Sequence, residues 1–199
     1  MGSKQIWVMG VDPSVRSTGL ALFNVNTEKL ETFNVVRAQE KELIHHVFKR
    51  LIKETSVAAV RSMPMFGVIE YPANAFNNID VFEVSAVIRA TMMDLLNCPL
   101  MYVSSLTIRK ALVGRGIQDK EEYLTEFRKR FSRFLTNSQT VDEQEAVGMA
   151  LLAADICRKM YFKRRLYVHD VPKDLLARAR YVMGHGKRPK GTKGRRLIV

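Results

Sequence analysis

Short apolar runs separated by turn residues dominate the first forty residues of the chain. Residues 6–11 form an apolar run with the length of a buried strand, and residues 19–23 form a second one. Residues 32–36 have the pattern of a third strand. Because the connections between these runs are short, we expect the three strands to pair as an antiparallel meander.

Helical and strand patterns alternate beyond residue 40. Apolar residues recur at helical spacing over 41–53 and 81–96, while 66–70 and 100–103 have the pattern of short strands. The pattern predicts an α/β fold in which helices flank a five-stranded mixed β-sheet.

Capping signals mark the helices of the second half. Ser104-Ser105 is typical of a helix cap, and residues 121–134 have the composition of a charged surface helix. Thr140 and Glu143 have the spacing of a capping box, which predicts that a further helix starts there and runs to residue 154.

The composition changes after residue 161. Residues 172–183 have the pattern of one more helix, and Gly184 is its expected stop. Residues 184–196 contain four glycines, six basic residues and no acid, so we expect this segment to be flexible. The sequence therefore predicts one domain over 4–161, followed by a basic extension over 162–199.

Length and charge support this division. The chain has 199 residues, 47% of them hydrophobic, which suits one domain with a substantial core. Of its 32 basic and 20 acidic residues, 14 and 2 follow residue 157, so residues 158–199 carry the whole net charge of +12. The excess indicates a polyanionic partner, either nucleic acid or an acidic membrane face, that is contacted by the C-terminal region.

Several protein classes are excluded by the cysteines and by hydropathy. Cys98 and Cys157 have no metal-ligand spacing, and two cysteines do not form a disulfide scaffold, which indicates a reducing compartment. The sequence has no apolar run of about 18 residues and no signal-peptide pattern. We therefore expect a soluble protein that works in the cytoplasm.

Four acidic residues stand where a catalytic cluster would form. Asp12 and Glu70 each end a predicted strand, and Asp142 and Glu145 are three residues apart on one face of a predicted helix. A cluster of four carboxylates is too repulsive to persist without a divalent cation, and its hard oxygen ligands favour Mg²⁺ or Mn²⁺. One or two such ions would hold a phosphodiester for attack by water.

Each acid also has an ordinary structural interpretation. Asp12 precedes Pro13 as in many turns, Asp142 suits a helix N-terminus, and Glu145 would then face solvent. We assign Glu143 to capping and expect Asp155 on the outer side of the same helix.

The motifs around these acids resemble those of the RuvC-type Holliday junction resolvases. Gly10-Val11-Asp12-Pro13 followed by Arg16-Ser17-Thr18-Gly19 resembles the first family motif, and Val68-Ile69-Glu70 resembles the second. The run from Asp142 to Ala150 resembles the last motif, in which two acids three residues apart lead into an Ala-rich helix. The resemblance extends from about residue 6 to residue 155. It implies an RNase H-like fold and a Mg²⁺-dependent endonuclease that leaves 5′-phosphate ends. It also implies a homodimer that cuts two strands of a four-way DNA junction.

Basic residues near a glycine loop are the predicted DNA contacts. Residues 110–116 with Lys120 resemble the family's Val-Gly-x-Gly loop, and Arg109, Lys110, Arg115 and Lys120 surround its two glycines. The resemblance adds Arg16 of the first motif, and Tyr71 and Phe76 both lie near the family's aromatic wedge without being in register with it. The tail contributes six further predicted contacts: Lys187, Arg188, Lys190, Lys193, Arg195 and Arg196.

The chain also departs from the family pattern. Glu145 stands where aspartate is more usual, Ser14 replaces a glycine after Asp-Pro, and the basic tail is longer than the family pattern. A phage or viral origin would suit these departures. Two alternatives remain open: a broader nuclease acting on flaps, forks and replication intermediates, and a module that binds junctions without cutting them.

The helix over 81–96 is the expected dimer interface by family resemblance, with core burial an equal alternative for each residue. The positions concerned share one helical face: Val84, Val87, Ile88, Thr91, Met92 and Leu95.

Overall fold

The structure is a computed structural model that describes residues 5–36, 42–71, 79–162 and 171–184. One five-stranded sheet lies at its centre, in the order β3-β2-β1-β4-β5. The strands are β1 (Trp7–Asp12), β2 (Ser17–Asn24), β3 (Leu30–Val36), β4 (Phe66–Tyr71) and β5 (Leu100–Ser104). The first three pair antiparallel, whereas β4 is parallel to both β1 and β5. The predicted mixed sheet and its N-terminal meander are confirmed.

Six α-helices accompany the sheet in the described part of the chain. They are α1 (Ile44–Ser62), α2 (Ile79–Leu96), α3 (Ser105–Val113), α4 (Lys120–Phe131), α5 (Val141–Cys157) and α6 (Lys173–Val182). The caps predicted at Ser104 and at Thr140 with Glu143 both form. Helix α1 continues nine residues beyond the predicted end at 53, because the small residues Thr55 and Ala59 keep its inner face buried.

The two faces of the sheet carry different helices. Strand residues that point to one face, such as Val8 and Val68, pack in a core with α3, α4 and α5. Their neighbours Met9 and Ile69 point to the other face and pack with α1 and α2. This alternation follows from the two-residue period of a strand, and it fixes which helices can reach the end of β1 on each face.

Helix α5 lies against the middle of the sheet and is enclosed on all sides. Every residue from Gln144 to Cys157 is buried. The prediction that Asp155 lies on an outer side of this helix is wrong, since its exposed fraction is 0%. The helix has no solvent face there because the sheet, α3 and α6 all pack against it.

Two glycines allow α5 to approach the sheet closely. A Cβ atom on Gly10 would lie 2.0 Å from the carbonyl oxygen of Ala146, and one on Gly19 would lie 2.1 Å from that of Asp142. Both distances are far below van der Waals contact, so only a residue without a side chain fits at these two strand positions. The acids of α5 are thereby brought to the end of β1.

The helix predicted at 172–183 is α6, and it packs on the edge of the sheet beside β5. Leu175 and Ala179 are fully buried in the core shared with α5, and Arg178 donates a hydrogen bond of 2.5 Å to the carbonyl oxygen of Tyr102 on β5. The extension thus covers the outer strand of the sheet with its first helix. None of the described helices is both long and apolar enough to span a bilayer.

The proposed interface helix α2 is largely used within the chain. Val84, Ile88, Thr91 and Met92 are buried, and α2 packs against α1 and β5. These four positions follow the alternative of core burial and not the interface prediction, because α1 and the sheet already cover this helical face. Leu95, by contrast, is 62% exposed.

Candidate active site

The ends of β1 and β4 place two carboxylates side by side. Val11 pairs with Ile69 in the parallel ladder, so the next residues along the two strands, Asp12 and Glu70, are neighbours. Both follow the alternation of Val8 and Val68, which pack toward α5. The two acids therefore face the helix that carries the other two.

Helix α5 completes a cluster of three carboxylates. Ligand oxygens of Asp12, Asp142 and Glu145 all lie within 4.8 Å of one another. Asp142 lies in the first turn of the helix, where the capping box of Thr140 and Glu143 fixes the backbone. Glu145 follows one turn later on the same face. One strand end and one helix start thus bring three acids together from positions far apart in the sequence.

Burial and mutual repulsion make the cluster costly when it is charged. Asp12 is 9% exposed and Glu145 is 6% exposed. Burial raises the pKa of Asp12 well above its ordinary value, and the nearby charges of Glu145, Glu70 and Asp142 raise it further. A cation close to these oxygens would relieve this repulsion.

Glu70 lies outside this group of three and accepts a hydrogen bond from a hydroxyl group. The side chain of Ser105, the first residue of α3, donates a short hydrogen bond to Oε1 of Glu70. Burial raises the pKa of Glu70, whereas this hydrogen bond opposes the rise. A small cavity beside these acids is lined by Glu70, Ser105, Tyr123 and Glu145 among others.

Two cations contact Glu145. The Nζ atom of Lys120 lies 2.6 Å from its Oε2, and an Nη atom of Arg109 lies 3.9 Å from its Oε1. Arg109 also donates hydrogen bonds of 3.1 and 2.7 Å to the carbonyl oxygens of Ile117 and Gln118, and its guanidinium lies 5.0 Å from the ring centre of Tyr123. Arg109 thus joins the glycine loop to the acid cluster.

Three more of the basic residues predicted to contact DNA are within the described part of the chain, and all three are exposed. Arg16 is exposed in the turn between β1 and β2, and Lys110 is exposed on α3. Arg115 is 62% exposed and forms an ion pair of 3.0 Å with Glu122. Ser14 fits its turn without a left-handed backbone. Its carbonyl oxygen accepts a hydrogen bond of 2.7 Å from Oγ1 of Thr18.

Tyr71 faces away from the acids. It follows Glu70 on β4, so its side chain points to the α1 and α2 face, where its ring packs edge-on against Tyr102 at 5.8 Å. Phe76 and the six basic tail residues lie outside the described residues.

Comparison with solved structures identifies the fold. Thermus thermophilus RuvC superposes with a TM-score of 0.61 and 16% identity, over 79% of this chain and 98% of the RuvC chain. T. thermophilus RuvC in complex with a Holliday junction substrate gives 0.60 and 15%, over 79% and 96% of the two chains. The chain has the RuvC-like, RNase H-like fold. No family model and no curated protein sequence matches the chain.

Sequence reasoning missed two residues of this candidate site. Ser105 was assigned to a helix cap together with Ser104, but Ser104 alone accepts the capping hydrogen bond from Thr107. Ser105 itself was the signal, because a helix cap needs only one hydroxyl group and the second serine is then left for another role. Tyr123 had no signal beyond the apolar spacing of α4, and it is 1% exposed beneath Arg109.

Proposed function

We propose that this protein is a divalent-metal-dependent endonuclease that resolves four-way DNA junctions in the cytoplasm by paired, symmetric incision as a homodimer. The observation that carries the proposal is the convergence of Asp12, Asp142 and Glu145 at the end of β1 in a RuvC-like fold. Glu70, on the neighbouring strand, is the fourth acid of the proposed site.

The donor set fits a hard divalent cation. The three clustered donors are carboxylate oxygens that lie within 4.8 Å of one another, and no cysteine or histidine belongs to this group of described residues. Asp12, Asp142 and Glu145 would hold Mg²⁺, with Mn²⁺ as a substitute, and Glu70 would bind a second ion. When bound, such a cation activates water and stabilises the charge that develops on the phosphate.

The chain's own residues prepare this site in four ways. The close approach of α5 to Gly10 fixes the spacing between Asp12 and Glu145. Ser105 orients Glu70 through its hydrogen bond, and Arg109 anchors the loop beside Glu145. Burial excludes bulk water from the carboxylates. The expected products carry 5′-phosphate and 3′-hydroxyl ends.

Branched DNA is the proposed substrate. The net charge of +12 favours a polyanion, and one of the structures with this fold is described as RuvC in complex with a Holliday junction substrate. We place the DNA contacts at Arg16, Lys110, Arg115 and Lys120 around the acids, together with the basic residues of the tail.

The second candidate is a nuclease with a broader range of branched substrates. The packing of Tyr71 against Tyr102 favours it, because an aromatic ring held on the far face of the sheet is not free to enter a junction. Phe76, which lies near the family's wedge position without being in register with it, stays a proposed DNA contact in the first candidate.

A comparison of substrates tests the proposal. Synthetic four-way junction, flap and linear duplex of matched sequence are incubated with the protein in Mg²⁺ or in EDTA, and the cuts are mapped. We expect paired cuts in the junction that require Mg²⁺. Equal cutting of the flap would favour the broader nuclease, and binding without cutting would favour a non-cleaving module.

A further inference from the structure

Lys120 contacts a carboxylate group to which a metal ion would also bind. Its Nζ atom is 2.6 Å from Oε2 of Glu145, one of the three clustered carboxylates. The side chain of Lys120 is 48% exposed, whereas that of Glu145 is 8% exposed. The ammonium therefore closes the cluster from its solvent side.

The two cations at Glu145 are held very differently. Arg109 is fixed by two backbone carbonyl groups and by the ring of Tyr123, and its Nη atom is 3.9 Å from the carboxylate. Lys120 is bound to Glu145 at the end of a flexible four-carbon chain. The lysine can move away without disturbing the fold, whereas the arginine is part of the framework.

We propose that Lys120 is a built-in competitor for the metal site: its ammonium neutralises Glu145 in the metal-free protein and leaves Oε2 when a divalent cation binds there. This inference rests on the proposed function. An ammonium at hydrogen-bond distance from a ligand oxygen would repel a divalent ion on the same oxygen, so the two cations exclude each other. The metal-free cluster is thereby stabilised, and its affinity for metal is lowered.

The released ammonium needs a new anionic partner. It stays at the open side of the cluster, where a DNA phosphate is the anion that the proposed substrate brings. DNA binding would then remove the competitor, so metal loading is favoured in the complex with DNA.

Titration of the free protein with Mn²⁺ by calorimetry tests the competition. We expect Lys120→Met to bind Mn²⁺ about tenfold more tightly than the parent, the equivalent of one charge-assisted hydrogen bond. Lys120→Arg keeps the charge and should stay close to the parent. Lys129→Met is the matched control, because Lys129 lies exposed on the same helix and should leave the affinity unchanged.

A second measurement uses the unaltered protein and does not depend on the folding of a variant. Acetylation by an amine-reactive ester, read out by mass spectrometry, should become faster at Lys120 when Mg²⁺ replaces EDTA and stay constant at Lys129. Equal Mn²⁺ affinities and unchanged acetylation of Lys120 would overturn the competition and leave the nuclease proposal intact. Absence of Mn²⁺ binding in every variant would overturn the metal site itself.

Discussion

Gly10→Ala should push α5 away from β1 and so move Asp142 and Glu145 away from Asp12. The added Cβ would lie 2.0 Å from the carbonyl oxygen of Ala146 and 2.4 Å from the amide nitrogen of Ala150, where ordinary contacts begin at 3.4 Å. Both atoms are backbone, so no side-chain rotation relieves the overlap. The helix must retreat by more than 1 Å. Such overpacking costs about 3 kcal/mol, less the gain of about 0.5–1 kcal/mol from replacing a flexible glycine.

The retreat of α5 should also reduce activity, because the same helix carries Asp142 and Glu145. A misplacement of about 1 Å at a catalytic site costs on the order of 100-fold in rate. Urea unfolding followed by circular dichroism measures the loss of stability, and junction cleavage in Mg²⁺ measures the loss of rate. Gly116→Ala is the matched control for the stability measurement, since a Cβ there has no neighbour within 4 Å. Parental stability and cleavage in Gly10→Ala would refute the close approach of α5.

Three further predictions concern other parts of the molecule. Ser105→Ala removes the hydrogen bond to Glu70 and should slow cleavage about tenfold, with Ser105→Thr partly restoring it; equal rates in all three proteins would contradict the positioning role. Burial raises the pKa of Cys98 and Cys157 from 9.0 to about 12, so native stability should fall above pH 9 as the unfolded thiols lose protons first. The fall should reach about 1.4 kcal/mol per pH unit per thiol and should shrink when both are replaced by Ala, as urea titrations at pH 8 and 10 would show. Truncation after residue 186 should flatten the salt dependence of duplex binding by up to about 5 units of log-log slope, and an unchanged slope would show that the tail does not contact DNA.

Local patterns were sufficient for most of the fold. The alternation of apolar residues located the five strands, and the capping box fixed the start of α5 at Val141, because these signals act within a few residues. Two features depended on packing between distant elements. The sequence does not show that Asp155 is buried. Because α5 is enclosed on every side, it has no exposed polar face from which its buried positions could be told apart. The burial of α2 by α1 likewise decided which of its residues face the core.

In the candidate site, too, some features follow from local sequence patterns and others depend on packing between distant elements. Asp12 and Glu70 could be placed because each ends an apolar strand, and Asp142 and Glu145 because they share one helical face. The ion pair of Lys120 with Glu145 joins two helices 25 residues apart and leaves no local pattern in the sequence. Contacts between side chains of separate elements emerge only once the elements are packed.

Incision of a four-way junction by the parent protein and by Asp12→Asn, both in Mg²⁺, tests the central claim most directly. Asp12 is one of the three clustered acids, and Asp12→Asn keeps the size of the side chain while replacing one carboxylate oxygen by an amide nitrogen. The account predicts paired cuts with 5′-phosphate ends for the parent. It predicts almost no cutting by Asp12→Asn, with junction binding retained or improved because a negative charge facing the phosphate is gone. Cutting by Asp12→Asn at the parental rate would contradict the assignment of this cluster as the active site.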